Sequence, residues 1–415
     1  MATVDYRVVD LDLETAGDKD VSLGAVDGAL VVARRAGVPV GSRLFHGPLP
    51  ERIALVVEQL TMRDDDPPGP TDCRVRITVA VCTRNRPQLL ARCLRSIVAA
   101  ANAAEEVELD LLVVDNDSRD DATRRAAEDG GARCEREPIP GLDFARNRAV
   151  RESRGELIAF VDDDVVVDEF WLRTLARAFA AHPEASAVSG QVLAMSLDTP
   201  ARVDFERSSG FSLGWHAMGF SESDSPDLPF RPGMGVGCNM AFRRHALADV
   251  GPFDDALDTG RPLPGGGDLD MMIRMAITGR VIYEPSAVVF HEHRQTWSEL
   301  RYQYYTWGKG WAAVLDKWYR MRPDFRARIR GVSRWTIRGF VADFVRGPRR
   351  TGRYRRGHCA LLGVGFVVGW TGAYGRSVRR VEARRQHAVG VAVEAPQPQR
   401  PKTSFMRRVN PRRKR

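Results

Sequence analysis

The sequence predicts an α/β protein whose core is a mostly parallel sheet flanked by helices. Short apolar runs at Ile77–Cys82, Leu109–Val114 and Leu157–Val161 alternate with stretches of helical periodicity. That alternation implies right-handed βαβ units. Each run then breaks into polar residues: Thr83-Arg-Asn-Arg, Asp115-Asn-Asp-Ser and Asp162-Asp-Asp. Open α/β sheets take ligands at the carboxyl ends of their strands, so acidic breaks on one edge mark a candidate site.

Taken in order, the elements support this reading. After the first strand, Pro87 suits the first turn of a helix, and Leu89, Leu90, Cys93, Leu94, Ile97 and Val98 fall on one face at helical spacing. Residues 120–128 read as a second helix. In the third break, Asp162 and Asp164 project to the same side of an extended chain and Asp163 to the other. Three adjacent carboxylates repel one another unless a cation or water compensates them. Hard divalent cations take carboxylates together with substrate phosphates. A solvated acidic loop is the plainer alternative. Before the core, residues 1–70 read as a small α+β accessory unit: strands at Ala29–Ala33 and Gly37–Gly41, a helix at Glu51–Leu60, and a Pro-rich linker at Asp64–Pro70.

Seven pieces of sequence then carry a resemblance. They are Val-Cys-Thr-Arg-Asn-Arg-Pro (81–87), Val-Val-Asp-Asn-Asp-Ser (113–118), Pro-Gly-Leu-Asp-Phe-Ala-Arg-Asn-Arg (140–148), Phe-Val-Asp-Asp-Asp (160–164), Gly-Cys-Asn-Met-Ala-Phe-Arg-Arg (237–244), Gly-Gly-Gly-Asp-Leu-Asp (265–270) and Tyr-Glu-Pro-Ser-Ala-Val-Val-Phe-His-Glu-His-Arg (283–294). In this order, over roughly residues 76–310, the chain resembles the family-2 glycosyltransferases, with their Rossmann-like GT-A fold. The resemblance implies an inverting transferase that uses a nucleoside diphosphate sugar. It places Thr83 and Asp115 at the nucleotide base, and Arg146 near the nucleotide. Asp162 and Asp164 become the Asp-x-Asp element that holds Mg2+ or Mn2+ against the donor diphosphate; the alternative for Asp162 is the ribose instead of the metal, which leaves Asp164 as the firmer ligand. A histidine after the last core strand joins the metal: His291, or His293 two residues on. The family's general base is the Asp of a Glu-Asp pair at a helix start. Here the pair reads Gly267-Asp268, so Asp268 is the expected base, Asp270 the runner-up, and the acceptor contacts of the missing Glu are open. A helix N-cap is the plainer role for Asp268. Residues 258–267, rich in Gly and Pro, read as a lid or a long surface loop.

Other chemistries lack support. No Gly-x-Gly-x-x-Gly or Gly-x-x-x-x-Gly-Lys-Ser/Thr follows a strand. The six cysteines (73, 82, 93, 134, 238 and 359) form no Cys-x-x-Cys and read as reduced core residues. With no N-terminal signal peptide, they fit a cytoplasmic protein.

Charge divides the chain. From Arg320 to Arg415 there are 26 Lys and Arg against 4 Asp and Glu, a net +22, so the remainder carries −14 of the formal +8. The basic end calls for an anionic partner. A membrane surface is the expected one, at the inner face of the plasma membrane, rather than nucleic acid. Gly357–Gly375 holds no Asp, Glu, Lys or Arg, which approaches the roughly 20 residues of a bilayer span; its six glycines weaken that reading. A helix packed on the catalytic domain is the alternative. The aromatic-rich stretch Trp297–Trp318 is placed by the resemblance beside the acceptor site. The resulting division is 1–70 accessory unit, 76–318 catalytic domain, 319–395 basic, partly apolar helical extension, and 396–415 disordered tail. The expected acceptor is a hydroxyl on a lipid carrier, glycan or small molecule. The rival reading is a catalytically inactive relative whose basic tail binds membrane or nucleic acid. A nucleotidyltransferase is disfavoured by the lack of a Gly-rich phosphate loop.

Overall fold

The computed structural model describes residues 4–15, 26–47, 49, 53–71, 74–208, 210–225, 227–231, 233–260, 263–346 and 355–394. The expected tail at 396–415 and Cys73 lie outside these residues.

The chain opens with a four-stranded sheet in sequential order: β1 (Tyr6–Asp12), β2 (Gly28–Arg35), β3 (Val38–His46) and β4 (Thr61–Met62). Helix α1 spans Ile53–Val57 among the described residues, which exclude Glu51 and Arg52, and stops before the expected end at Leu60. The chain must turn early because Thr61 and Met62 pair with Ser42 and Gly41. One face of this sheet packs on the rest of the protein: Leu30 and Val32 meet Leu193, Ala194, Leu197, Trp215 and Val288. Two ion pairs fasten it, Arg34 Nη2 to Asp168 Oδ2 at 2.7 Å and the buried Arg63 Nη1 to Glu284 Oε1 at 2.7 Å.

The central sheet contains β5 (Val75–Thr83), β6 (Val107–Asn116), β7 (Arg133–Glu137), β8 (Leu157–Asp162), β9 (Val165–Val167), β10 (Ala185–Ala194), β11 (Met218–Phe220), β12 (Met240–Arg243) and β13 (Arg280–His291). Their order is β11-β13-β10-β12-β8-β5-β6-β7, with β9 paired to β13. Strands β8, β5, β6 and β7 run parallel, as do β10 and β13; β12 lies antiparallel between the two groups. The parallel strands are buried on both faces, so their sequences are continuous apolar runs.

Alternate residues of β5 feed two cores. Ile77, Val79 and Val81 pack under α2 (Pro87–Asn102) and α5 (Trp171–Ala181). Ala80, with Leu112, Ile158 and Phe160, packs under α4 (Leu142–Glu152), α7 (Arg244–Val250), α8 (Gly267–Thr278) and α9 (Trp297–Met321). Two shorter helices are α3 (Ala122–Asp129) and α6 (Pro200–Ser208). Asn239, just before β12, ties β10 and β13 to α5 where the β10–β13 register slips. Its Nδ2 donates to the carbonyls of Gln191 (2.9 Å) and Ala287 (2.8 Å), and its Oδ1 accepts from Trp171 Nε1 (2.9 Å).

Among the described residues three helices follow: α10 (Arg326–Arg346), α11 (Arg356–Trp370) and α12 (Ala373–Glu394). The stretch 357–375 is therefore not one continuous helix. It ends at Trp370, and Gly372 turns the chain with φ +82°. At about 1.5 Å per residue, α11 is roughly 22 Å long. No helix among the described residues is long and apolar enough to cross a membrane. The glycines explain what the stretch does instead. A Cβ at Gly308 would collide with the Leu362 carbonyl, one at Gly365 with that of Tyr305, and one at Gly369 with that of Lys309. Bare backbone lets α9 and α11 approach this closely.

Candidate active site

Strands β5, β6 and β8 end level with one another. Thr83 pairs in register with Asp115, and Cys82 with Asp162. The polar breaks seen in the sequence thus share one edge. Asn85, in the left-handed region at φ +56°, ties two of them: its backbone N–H donates to Ser118 Oγ (2.9 Å) and its Oδ1 accepts from the Arg119 N–H (2.9 Å).

Three expected residues lie in this rim. Buried Asp115 accepts from the Ser118 N–H at Oδ1 (2.9 Å), while Arg136 Nη1 lies 3.5 Å from Oδ2. Thr83 donates its hydroxyl to Asp163 Oδ2 at 2.6 Å. Asp162 is half-buried, and burial together with the neighbouring Asp164 charge pushes its carboxyl up to about 7. Asp163, which sequence reasoning left aside as pointing away, is a structural anchor: it also accepts from Arg86 Nη1 at 2.9 Å.

Asp164 is buried and lies between Arg86 Nη1, 3.5 Å from Oδ2, and His291 Nε2, 3.4 Å from Oδ1. Its Oδ1 has no hydrogen-bond partner. Behind it runs a chain of polar groups. His291 Nδ1 meets His293 Nδ1 at 3.2 Å, and His293 Nε2 meets Glu206 Oε2 on α6 at 2.9 Å. A carboxylate only accepts. His293 therefore donates to Glu206 from Nε2; in the tautomer that leaves His293 Nδ1 as an acceptor, His291 donates from Nδ1 and its Nε2 lone pair faces Asp164 Oδ1. Phe205 and Phe211 pack edge-on against the two rings. This burial holds His291 down to about 4, so it is uncharged near neutrality. In that tautomer the His291 Nε2 and the unpartnered Asp164 Oδ1 face each other as two acceptors. Both histidines weighed in the sequence are present, in different places: His291 at the rim, His293 behind it. Glu206, far away in sequence, had no sequence signal.

A second acidic cluster lies on the α4–α8 side. Arg146 is buried, and its Nη1 pairs with Asp143 Oδ1 at 2.8 Å and Asp258 Oδ2 at 3.0 Å. Burial and Asp258 raise the Asp143 carboxyl well above its usual range, and burial raises Asp258. Asp268 opens α8, half-buried; its Oδ2 accepts from the Gly237 N–H at 2.9 Å. Gly237 itself is confined: a Cβ there would lie 2.8 Å from Arg146 Nη2 and 3.0 Å from Asp268 Oδ2. The helix N-cap is Gly266, so Asp268 is free of that role. The runner-up Asp270 is excluded from the site by its partners. It turns under α9, accepting from Lys317 Nζ (2.8 Å) and Trp318 Nε1 (3.0 Å) and pairing with Arg274.

The glycine at 267 also has a physical reason. A Cβ there would collide with the Asp143 carboxylate, so this buried acid occupies the space a side chain at 267 would need. Asp143 stands three residues before Arg146, the (i, i+3) spacing of a helical ion pair, and was legible on that ground. Asp258 was not; it belongs to the stretch read as a lid or surface loop. Its Oδ2 accepts from the Gly267 N–H at 3.0 Å, Thr259 is buried, and Arg384 of α12 donates to the Thr259 carbonyl at 3.2 Å. The described part of this stretch is pinned to the site floor.

Residues 78–251 match the profile of glycosyl transferase family 2. The chain is 32% identical over 229 residues to the succinoglycan biosynthesis protein ExoM of Rhizobium meliloti, covering 52% of this chain and 67% of that protein. It belongs to glycosyl transferase family 2. The glycosyltransferase is also 26% identical over 272 residues to a glucosyl-dolichyl phosphate glucuronosyltransferase of Haloferax volcanii, covering 60% of this chain and 80% of that one. Among solved structures it resembles a mannosyltransferase from Pyrobaculum calidifontis in complex with GDP-Man and Mn2+, at 20% identity and a TM-score of 0.46, over 79% of this chain and 90% of that chain. Its sheet and helices form the Rossmann-like GT-A arrangement that the sequence implied. Among the described residues, no three His, Cys, Asp or Glu side chains converge as a ready-made metal site.

Proposed function

We propose that this glycosyltransferase is inverting and metal-dependent, moving a sugar from a nucleoside diphosphate sugar to a hydroxyl acceptor. One observation carries the reading: Asp164 Oδ1 and His291 Nε2 face each other at 3.4 Å, with Oδ1 lacking any hydrogen-bond partner. A carboxylate oxygen and a neutral imidazole nitrogen so placed fit a divalent cation such as Mn2+ or Mg2+, with Asp162 beside them. The pair leaves coordination to be completed by diphosphate oxygens, the usual arrangement for Mg2+. When bound, the ion supplies Lewis-acid charge at the departing diphosphate. The Glu206–His293 chain fixes the tautomer and aim of His291.

The remaining work falls to the chain's own residues. Asp115 keeps acceptor capacity at Oδ2 for a base N–H, beside Thr83 at the strand ends. Asp268 takes the acceptor hydroxyl's proton as that oxygen attacks the anomeric carbon. The Gly237 N–H holds its Oδ2 and the Leu269 N–H donates to its Oδ1 at 2.8 Å, so the backbone fixes how this carboxylate is aimed. Arg146, expected near the nucleotide, serves here to hold Asp258 and the floor under Asp268. Its buried ion pairs leave it little reach. The Haloferax relative is named for a dolichyl phosphate-linked acceptor, which favours a lipid-linked hydroxyl among the acceptor classes.

The test is a donor screen with transfer as readout. UDP-, GDP-, CDP- and dTDP-sugars are offered with and without Mn2+, using wild type and Asp268→Asn. Transfer by wild type that needs Mn2+ and is lost in Asp268→Asn supports the reading. Transfer that persists in EDTA, or at near wild-type rate in Asp268→Asn, overturns it.

A further inference from the structure

Helix α10 buries one face and leaves an apolar stripe on the other. Ile329, Val332 and Thr336 point inward. Ile337, Val341 and Phe344, spaced i, i+4 and i+7, are 48%, 56% and 48% exposed, and Val345 beside them is 67% exposed. On α11, Val364 and Val367 are 55% and 61% exposed. The two helices are neighbours: Phe340 and Phe366 meet edge to face at 6.1 Å, and Arg356 Nη2 donates to the Val345 carbonyl at 3.4 Å. Scattered apolar residues at a surface need no explanation, but a stripe across two adjacent helices does.

Arginines border this stripe. Arg330, Arg334 and Arg338 are exposed and, at four-residue spacing, run alongside Ile337 and Val341. Arg346, Arg355 and Arg356 are exposed at the end where the helices meet. From Arg326 to Trp370 the sequence has 11 arginines and a single acid, Asp343, which is half-buried.

We propose that the outer face of α10 and α11 docks on an anionic lipid bilayer. The apolar stripe enters the headgroup–acyl boundary and the flanking arginines meet lipid phosphates. An amphipathic helix lies in the interface in this way without crossing it. Other occupants fit less well. A second copy would set arginine against arginine. Nucleic acid would satisfy the arginines and leave the branched and aromatic side chains in water, against the polar character of such interfaces. This docking is independent of the reaction assigned above.

The full chain is sedimented with phosphatidylcholine vesicles and with vesicles that also contain phosphatidylglycerol. Wild type is expected to co-sediment with the anionic vesicles and to release in high salt. Two variants, Ile337→Asp/Val341→Asp and Arg330→Ala/Arg334→Ala/Arg338→Ala, are each expected to bind about tenfold or more weakly. All five substituted positions are exposed, so unchanged circular dichroism melts separate lost docking from lost fold. Absence of binding to anionic vesicles overturns the proposal. So does equal binding by both variants, a dimer in sedimentation velocity that the Asp variant abolishes, or tighter binding to an oligonucleotide than to vesicles.

Discussion

Asp143, Asp258 and Asp268 gather round Arg146, while Asp162, Asp163 and Asp164 gather round Arg86 and His291. The two clusters have like charge and sit side by side on the site floor, yet they are compensated differently. Arg146 is 3% exposed and pairs with two of its acids directly. Arg86 has a side chain 47% exposed, engages Asp163 at 2.9 Å and reaches Asp164 only at 3.5 Å. His291 adds no charge near neutrality because burial keeps it deprotonated. The first cluster is supplied with its cation by the chain. The second is short of one, at the strand edge proposed above to receive the donor diphosphate. A fixed cation suits a base that must be held still; a missing one suits a group that arrives with substrate.

Substitutions can break this contrast from either side. The largest effect is expected at Asp268→Asn: transfer falls by about 10²- to 10⁴-fold, while calorimetry finds donor affinity unchanged. Next comes Arg146→Met, which leaves Asp143 and Asp258 buried without their cation. Urea denaturation is expected to show a loss of about 3–5 kcal/mol; a stability near wild type would mean the first cluster is not compensated by Arg146. On the other side, Glu206→Gln allows its amide N–H to face His293 and can reverse the tautomers down the chain to His291. Mn2+ affinity, read by calorimetry or electron paramagnetic resonance, is expected to drop about 10- to 100-fold with the thermal melt little changed.

The smallest effect concerns pH. Asp162, pushed up to about 7 by burial and the charge of Asp164, binds its proton more tightly folded than unfolded. Its contribution is favourable at low pH and is lost as pH rises from about 4 to about 7. His291, held down to about 4, acts oppositely, its stability contribution growing from about pH 4 to the ordinary histidine range. Comparing metal-free wild type with Asp162→Asn isolates the first. The variant's relative stability should climb between pH 4 and 7 and then level off, by roughly 1–3 kcal/mol. A difference that stays flat across that window would show that Asp162 carries no shifted proton.

The rim of the site was legible because it is local. Each of Thr83, Asp115 and Asp162 follows an apolar run that can only be a buried strand, and level parallel strands bring their ends together. What was not legible depends on contacts between distant segments. Nothing near Glu206 announces that it backs His293, and nothing near Asp258 announces that Arg146 will claim it. Gly267 looked like a lost side chain until Asp143 was found in its space. The stretch 357–375 was read by its length and lack of charge as a bilayer candidate. Its glycines at 365 and 369, four apart and so on one helix face, were the signal of close packing on α9. The arginines of α10 border an exposed apolar stripe, a pattern set by which helix faces pack inward.

The most direct test is calorimetric titration of Mn2+ and nucleoside diphosphates, together and separately, into wild type and Asp164→Ala. The account predicts that wild type binds one nucleoside diphosphate far better with Mn2+ than without, and that Asp164→Ala loses this metal dependence while remaining folded. Equal nucleotide and metal affinity in the two proteins would contradict it, and would mean that the unpartnered oxygen of Asp164 awaits no cation.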